Sequence, residues 1–299
     1  MPEQARRVGV VGLGAMGMGV AQSLLRNGLE VHACDLNKDA LKQITDAGGH
    51  GHATPEALAV HVDALIILVV NAAQTESVLF GANGAAAALK PGAVVICSVT
   101  VSPEFAADLG RRLTAMSLLA IDAPVSGGAA KARSGEMSVM AAGPDEAFAA
   151  CEDLFAAIAG KLYRLGDQPG QGSTVKMINQ LLAGVHIAAA GEAMALGLRA
   201  GADPDKLYEV ICNSAGSSWM FQNRVPHILD GDYTPLSAVN IFVKDLGIVL
   251  DYAKKQVFPL PLSATAHQMF MQASAAGHGL EDDSAVVKIF PGIDLPERR

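Results

Sequence analysis

Only four of the 299 residues are cysteine, and Cys34, Cys97, Cys151 and Cys212 form no C-x-x-C pair. Neither a disulfide framework nor a thiolate zinc site is indicated. Positive charge is short as well: 22 Lys and Arg face 30 Asp and Glu, and the net charge of −8 disfavours nucleic acid or an anionic membrane as a partner. Charged residues of both signs make up 17% of the chain against 51% hydrophobic, which excludes general disorder and leaves ample material for a core. The eight histidines read as scattered, none spaced with a carboxylate or cysteine as ligands are, so no metal is expected. Met1–Arg7 is short and polar and lacks the apolar run of a signal peptide, which points to the cytoplasm. No internal repeat is visible, and the length fits one large domain or two ordinary ones.

Glycine, by contrast, is plentiful and placed with purpose. Arg7–Gly12 (RVGVVG) reads as a central parallel strand and runs into Gly12-Leu13-Gly14-Ala15-Met16-Gly17, followed by a helical stretch to about Asn27. The next strand, Glu30–Cys34, ends on Asp35, 21 positions after Gly14. In a G-x-G-x-x-G turn the first glycine permits the tight bend and the second lets backbone approach a pyrophosphate. The third lets helix and strand pack closely, and an acid about twenty residues on accepts from ribose hydroxyls. Strand, glycine turn, helix and terminal acid together indicate a bound dinucleotide. A carboxylate at Asp35 with no arginine after it favours NAD over NADP.

The alternation continues through strands at Asp63–Val70, Ala93–Ser98, Leu118–Ile121, Met137–Ala141 and Leu162–Arg164, with a helix expected over Asp145–Ile158. Ligands of open parallel sheets lie beyond the carboxyl ends of the strands, which makes Asn71 and Thr100 candidate neighbours of the cofactor. Asp122-Ala123-Pro124-Val125-Ser126-Gly127-Gly128 reads either as an ordinary loop or as one whose backbone N–H groups receive a small anion such as a carboxylate.

From Gly170 to Gly201 the pattern is one long helix, and everything behind it is helical, at about 203–213, 235–255, 261–276 and 283–289. The fold expected is α/β: a Rossmann-type doubly wound parallel sheet over residues 1–168, then an all-α domain over 169–299, joined by the helix at 169–201. The most apolar part of that helix, Leu181–Leu198, carries His186, Glu192 and many small residues, and reads as packed against other helices. Gly172, Lys176 and Asn179 share one face of its first turns. Lys176 is the only charged residue between Asp167 and Glu192. On its own it reads equally as a solvated lysine or as a catalytic one in a crevice. Lys244-Asp245 is a charged pair on an otherwise apolar helix, and alone suggests an exposed patch. The tail, Pro291–Arg299, reads as loosely held.

Four motifs in this order resemble the β-hydroxyacid dehydrogenase family along essentially the whole chain. They are Gly12–Gly17, Asp122–Gly128, Gly172-x-x-x-Lys176-x-x-Asn179 and Lys244-Asp245-Leu246-Gly247. The resemblance implies a catalytic Lys176, with Asn179 orienting substrate and Ser126, Gly127 and Gly128 holding the substrate carboxylate. It implies Thr100 and Lys244 at the nicotinamide end of the cofactor, and Trp219 and Asp245 on the substrate side. Val69–Glu76 and Ala215–Arg224 are most similar to members acting on L-threonate. The expected activity is NAD-dependent oxidation of a small hydroxy acid, a four-carbon sugar acid at C2, by a homodimer or homotetramer. The alternatives are 3-hydroxyisobutyrate or glycerate oxidation, reduction of tartronate or succinic semialdehyde, and a non-catalytic dinucleotide-binding module.

Overall fold

The computed structural model describes residues 7–297; the expectations for residues 1–6 and for the last two residues lie outside them. The chain divides into two compact units, Met1–Lys176 and Met177–Arg299.

Unit one alternates strand and helix. Its elements are β1 (Arg7–Val11), α1 (Ala15–Arg26), β2 (Glu30–Cys34), α2 (Lys38–Asp46), β3 (His50–His52), α3 (Pro55–Ala59), β4 (Ala64–Ile67), α4 (Ala72–Phe80), β5 (Val94–Cys97) and α5 (Pro103–Ala115). There follow β6 (Leu119–Asp122), β7 (Val125–Ser126), α6 (Gly128–Ser134), β8 (Met137–Ala142), α7 (Asp145–Ala150), α8 (Glu152–Ile158) and β9 (Ala159–Gly166). The strands make one sheet in the order β3-β2-β1-β4-β5-β6-β8-β7, with β9 paired to β8. β1 to β6 are parallel, and β8 runs antiparallel to β6 and β7.

Period-2 geometry explains the layers. Ala64 and Ile66 of β4 face a core with Val20 and Leu24 of α1 and Phe155 of α8. Leu65 and Ile67 face the opposite core, with Leu58 of α3, Leu79 of α4 and Leu113 of α5. All four strand residues are completely buried, each of the larger ones contributing about 1.5–3 kcal/mol. The register aligns Cys34, Val11, Ile67, Cys97 and Asp122 in one row across the carboxyl ends of β2, β1, β4, β5 and β6. The chain runs outward from β1 in one direction to β3 and in the other to β6, so the glycine turn after Val11 sits at the topological switch point.

Several local expectations change. The stretch after Asp122 is not a plain loop: Val125 and Ser126 pair with Val139 and Ser138, and α6 begins at once. The single helix expected over 145–158 is two, separated at Cys151, whose φ of −113° and ψ of 19° leave the helical region. Asn71, which follows β4, caps α4 by accepting from the Gln74 N–H at 2.9 Å. The histidines are not all scattered in space: His32, His50, His52 and His61 stack as a cluster beside Glu30 at the β2–β3 edge.

The long helix α9 runs Gln171–Arg199, close to its expected limits. By length and composition it would suffice to cross a membrane, but beyond Lys176 it is a core helix of unit two. Ile187 and Ala188 pack with Phe242 and Leu246 of α12 (Val239–Lys255) and Phe270 of α13 (Pro261–Ala273). Ala190 and Met194 pack with Val225 and Ile228 of α11 (Trp219–Asp230), which follows α10 (Pro204–Cys212). α11 falls in a stretch to which the sequence assigned no helix, and Ser218 caps it by accepting from Phe221 N–H. Residues 283–289 form a 3₁₀ helix. The tail is better held than expected, because Ile293 and Leu295 pack on this core and Arg199 donates to the Gly292 carbonyl at 2.6 Å.

Candidate active site

The glycine turn fits a dinucleotide glycine by glycine. Gly12 has φ +95°, and a Cβ there would lie 2.7 Å from the Leu68 carbonyl oxygen. A Cβ on Gly17 would sit 1.8 Å from the Gly12 carbonyl oxygen, so only glycine lets α1 start so close to β1. At Gly14 a Cβ would meet nothing within 4 Å. That position is open, as a backbone must be to receive a pyrophosphate at the N-terminus of α1. Asp35 lies just past the carboxyl end of β2. Its carboxylate accepts from the Leu13 N–H in the middle of the turn, and from Asn37 N–H at 2.7 Å. The acid and the glycine turn are therefore joined directly. Asn71 and Thr100 follow β4 and β5 on the same side of the aligned row, both half-buried.

The Ser126-Gly127-Gly128 segment ends β7 and starts α6. Gly127 and Gly128 have φ of +132° and +73°, and a Cβ at Gly128 would point into open space. These are conformations that glycine takes without strain.

The first turn of α9 is anchored by Asp122 at the end of β6. The Asp122 carboxylate accepts from Gly170 N–H at 2.8 Å, Ser173 N–H at 2.7 Å and Ser173 Oγ at 2.7 Å. Burial pushes this carboxyl up from its ordinary value, against the pull of the Ser173 hydroxyl and of the Ser173, Gly170 and Gly172 N–H groups. Gly172 is there for space, since its Cβ would lie 2.4 Å from the Met140 carbonyl oxygen and 2.7 Å from that of Asp122. One turn on, Lys176 is only 7% exposed, which removes the reading as a solvated lysine.

In unit two a chain of polar contacts crosses from α9 to α12. Asn179 Nδ2 donates to Gln180 Oε1 at 3.0 Å, and Gln180 Nε2 donates to Asp245 Oδ2 at 2.6 Å. Lys244 donates to the other oxygen of Asp245. Gln180 and Asp245 are buried, which corrects the reading of Lys244-Asp245 as an exposed patch. Trp219 opens α11 with its side chain 57% exposed. The cysteines offer no nucleophile among these groups: burial pushes Cys97 and Cys151 up to about 12.

Two sets of residues therefore come together: the glycine turn with Asp35, and Asn179 with Asp245 and Lys244. Sequence reasoning gave no individual role to Asp122 and Ser173, which anchor the first turn of α9, or to Gln180, which links Asn179 to Asp245. The only signal for Gln180 was a second polar side chain beside Asn179 on an apolar helix.

A Rossmann-type sheet with a fitted glycine turn, leading into a helix that buries a lysine, defines a dinucleotide-dependent dehydrogenase. Residues 7–166 match the NAD-binding domain of 6-phosphogluconate dehydrogenase, and residues 170–290 the NAD-binding domain of NADP-dependent 3-hydroxyisobutyrate dehydrogenase. The chain is 69% identical to an L-threonate dehydrogenase of Cupriavidus necator, covering 98% of both chains, and 56% identical to one of Escherichia coli, covering 97% of this chain and 96% of that one. The crystal structure of a 3-hydroxyisobutyrate dehydrogenase from Salmonella typhimurium is similar at TM-score 0.91 and 55% identity, covering 95% of this chain and 99% of that one. The chain belongs to the β-hydroxyacid dehydrogenase family of NAD(P)-dependent oxidoreductases.

Proposed function

We propose that the chain oxidises L-threonate at C2 to the 2-oxo acid with NAD, as a cytoplasmic homo-oligomer. The observation that carries the chemistry is the burial of Lys176 one turn after the Asp122 anchor and one turn before Asn179. When bound at the glycine turn, NAD supplies a hydride acceptor for the hydrogen on C2. Lys176 takes the proton of the C2 hydroxyl as the hydride leaves C2, so the alcohol loses two electrons and two protons in all and becomes a ketone. Ser126 and the N–H groups of Gly127 and Gly128 hold the carboxylate. Asn179 orients the hydroxyl-bearing carbons, fixed in its rotamer by Gln180 and Asp245, and Trp219 covers the substrate. Asp35, already bonded to Leu13 N–H, presents a negative charge where NADP would carry its 2′-phosphate, which favours NAD. The exposed apolar side chains of Ile178, Leu182 and Leu196 on α9 support self-association.

The substrate rests on the curated relatives. A second reading, 3-hydroxyisobutyrate, has the Salmonella structure behind it. NADH formation measured against L-threonate, D-threonate, D-erythronate, 3-hydroxyisobutyrate and D-glycerate, with NAD and NADP, separates them. Preference for L-threonate with NAD is expected, and activity confined to 3-hydroxyisobutyrate would discard the substrate. Lys176→Ala should lower kcat by about 10²- to 10⁴-fold with NADH affinity unchanged, by fluorescence titration. Near-wild-type turnover would discard the lysine.

A further inference from the structure

None of the eight histidines takes part in the dehydrogenase chemistry proposed above, and the fold collects four of them at one place. In the parallel pairing of β2 with β3, His32 lies directly opposite His50 and Cys34 opposite His52. Alternation along β2 puts Glu30 on the same face as His32. His61, just after α3, stacks on His32 at a centroid distance of 5.3 Å.

We propose that Glu30, His32 and His50 bind a divalent transition-metal ion of the zinc class, tying the edge strand β3 to β2. One ligand atom from each lies within 4.8 Å of the others. His32 Nε2 is 3.0 Å and His50 Nε2 4.0 Å from Glu30 Oε1. Tetrahedral ligands at zinc distances of ~2.1 Å are separated by roughly 3.4 Å, so rotation of the exposed Glu30 and His50 side chains closes the site around an ion. Two imidazoles and one carboxylate, with a fourth position for water, are donors of the kind zinc takes.

The surroundings supply the support such a ligand needs. His32 is 5% exposed, and its Nδ1 lies 2.8 Å from His52 Nε2. When His32 gives its Nε2 lone pair to the metal, its ring proton sits on Nδ1, where His52 Nε2 accepts it and fixes the ring. The ion would lie at the amino half of β2, about 10–16 Å along the strand from Asp35, at the rise of the three residues from His32 and the five from Glu30. Its role is therefore structural. β3 has three residues and among the described residues pairs only with β2, and a clip across it adds binding free energy to the folded state.

The test uses the full-length, tag-free chain freed of metal by a chelator. Co²⁺ titrated in should produce the visible absorption of a tetrahedral site, saturating at one equivalent. Zn²⁺ should displace it and raise the thermal midpoint. His50→Ala, at an exposed position, should fold as wild type, weaken binding at least tenfold and lose the Zn²⁺-dependent rise. His52→Ala should weaken binding by about tenfold. Turnover of the metal-free chain should equal that of the loaded one. No saturable binding, or equal binding by His50→Ala and Glu30→Gln, would overturn the site. Turnover lost with the metal and restored by Zn²⁺ would overturn the structural role.

Discussion

Asp122 and Ser173, 51 residues apart, share two hydrogen bonds of 2.7 Å, one from the serine hydroxyl and one from its N–H. The contact joins the end of β6 to the turn of α9 immediately before Lys176. It holds the helix at the height where the lysine is buried. Asp122→Ala should cost about 1.5–3 kcal/mol of stability, and Ser173→Ala about 1 kcal/mol. Both should lower kcat, the former by tenfold or more, with NADH affinity within about twofold of wild type. Urea unfolding and steady-state kinetics measure the two effects. Unchanged turnover in Asp122→Ala would sink the positioning role.

The glycine turn separates folding from binding by a pair of substitutions. Gly17→Ala drives a methyl into the Gly12 carbonyl and should destabilise by about 3 kcal/mol or more. Gly14→Ala meets nothing and has ordinary dihedral angles, φ −64° and ψ −169°. It should fold within about 1 kcal/mol of wild type and lose NAD affinity by tenfold or more. Calorimetric NAD titration decides, and tight binding by Gly14→Ala would mean the pyrophosphate lies elsewhere.

What could be read from the sequence was what local chemistry specifies. β1, the glycine turn, Asp35 and α9 each declare themselves within some twenty residues, through period, glycine placement and punctuation. β7 could not be read, because two residues become a strand only by pairing with β8. α11 was hidden by a stretch taken for a substrate-facing segment, although Ser218 was a good cap. The Asp122–Ser173 and Gln180–Asp245 contacts span 51 and 65 residues, so no local pattern announces them. The histidines looked scattered because Glu30-x-His32 and His50-x-His52 meet only once β3 pairs with β2.

Asp63 ties the amino ends of the strands together, accepting from Arg7 Nε at 3.2 Å and Nη2 at 2.8 Å and from Lys90. Burial pushes its carboxyl up, but the hydrogen bonds and charges of Arg7 and Lys90 outweigh it and hold the carboxyl below its ordinary value. The unfolded chain therefore takes up a proton near pH 4 before the folded one does. The stabilisation is present above that pH and lost as pH falls through the folded value. Asp63→Asn should be less stable at pH 7 by roughly 0.5–1 kcal/mol, the partners being half exposed. Denaturant unfolding from pH 3 to 7 should show the gap closing towards pH 3, and a constant gap would contradict the assignment.

Gln180 is the residue through which Asn179 and Asp245 feel each other. Gln180→Leu leaves the Asn179 amide without its acceptor and removes one donor from a carboxylate that is 2% exposed. The loss of stability should be about 1–3 kcal/mol. A packing residue would show only that. A residue that orients the substrate-facing amide should also raise KM for the hydroxy acid and lower kcat, about tenfold in kcat/KM, while NADH affinity stays put. Gln180→Glu sets a carboxylate against Asp245 and should be worse on every count, since one of the two must then hold a proton or move away. If Gln180→Leu changed stability but neither kinetic constant, Asn179 would owe its orientation to its own helix, and the buried chain to Asp245 would be structural.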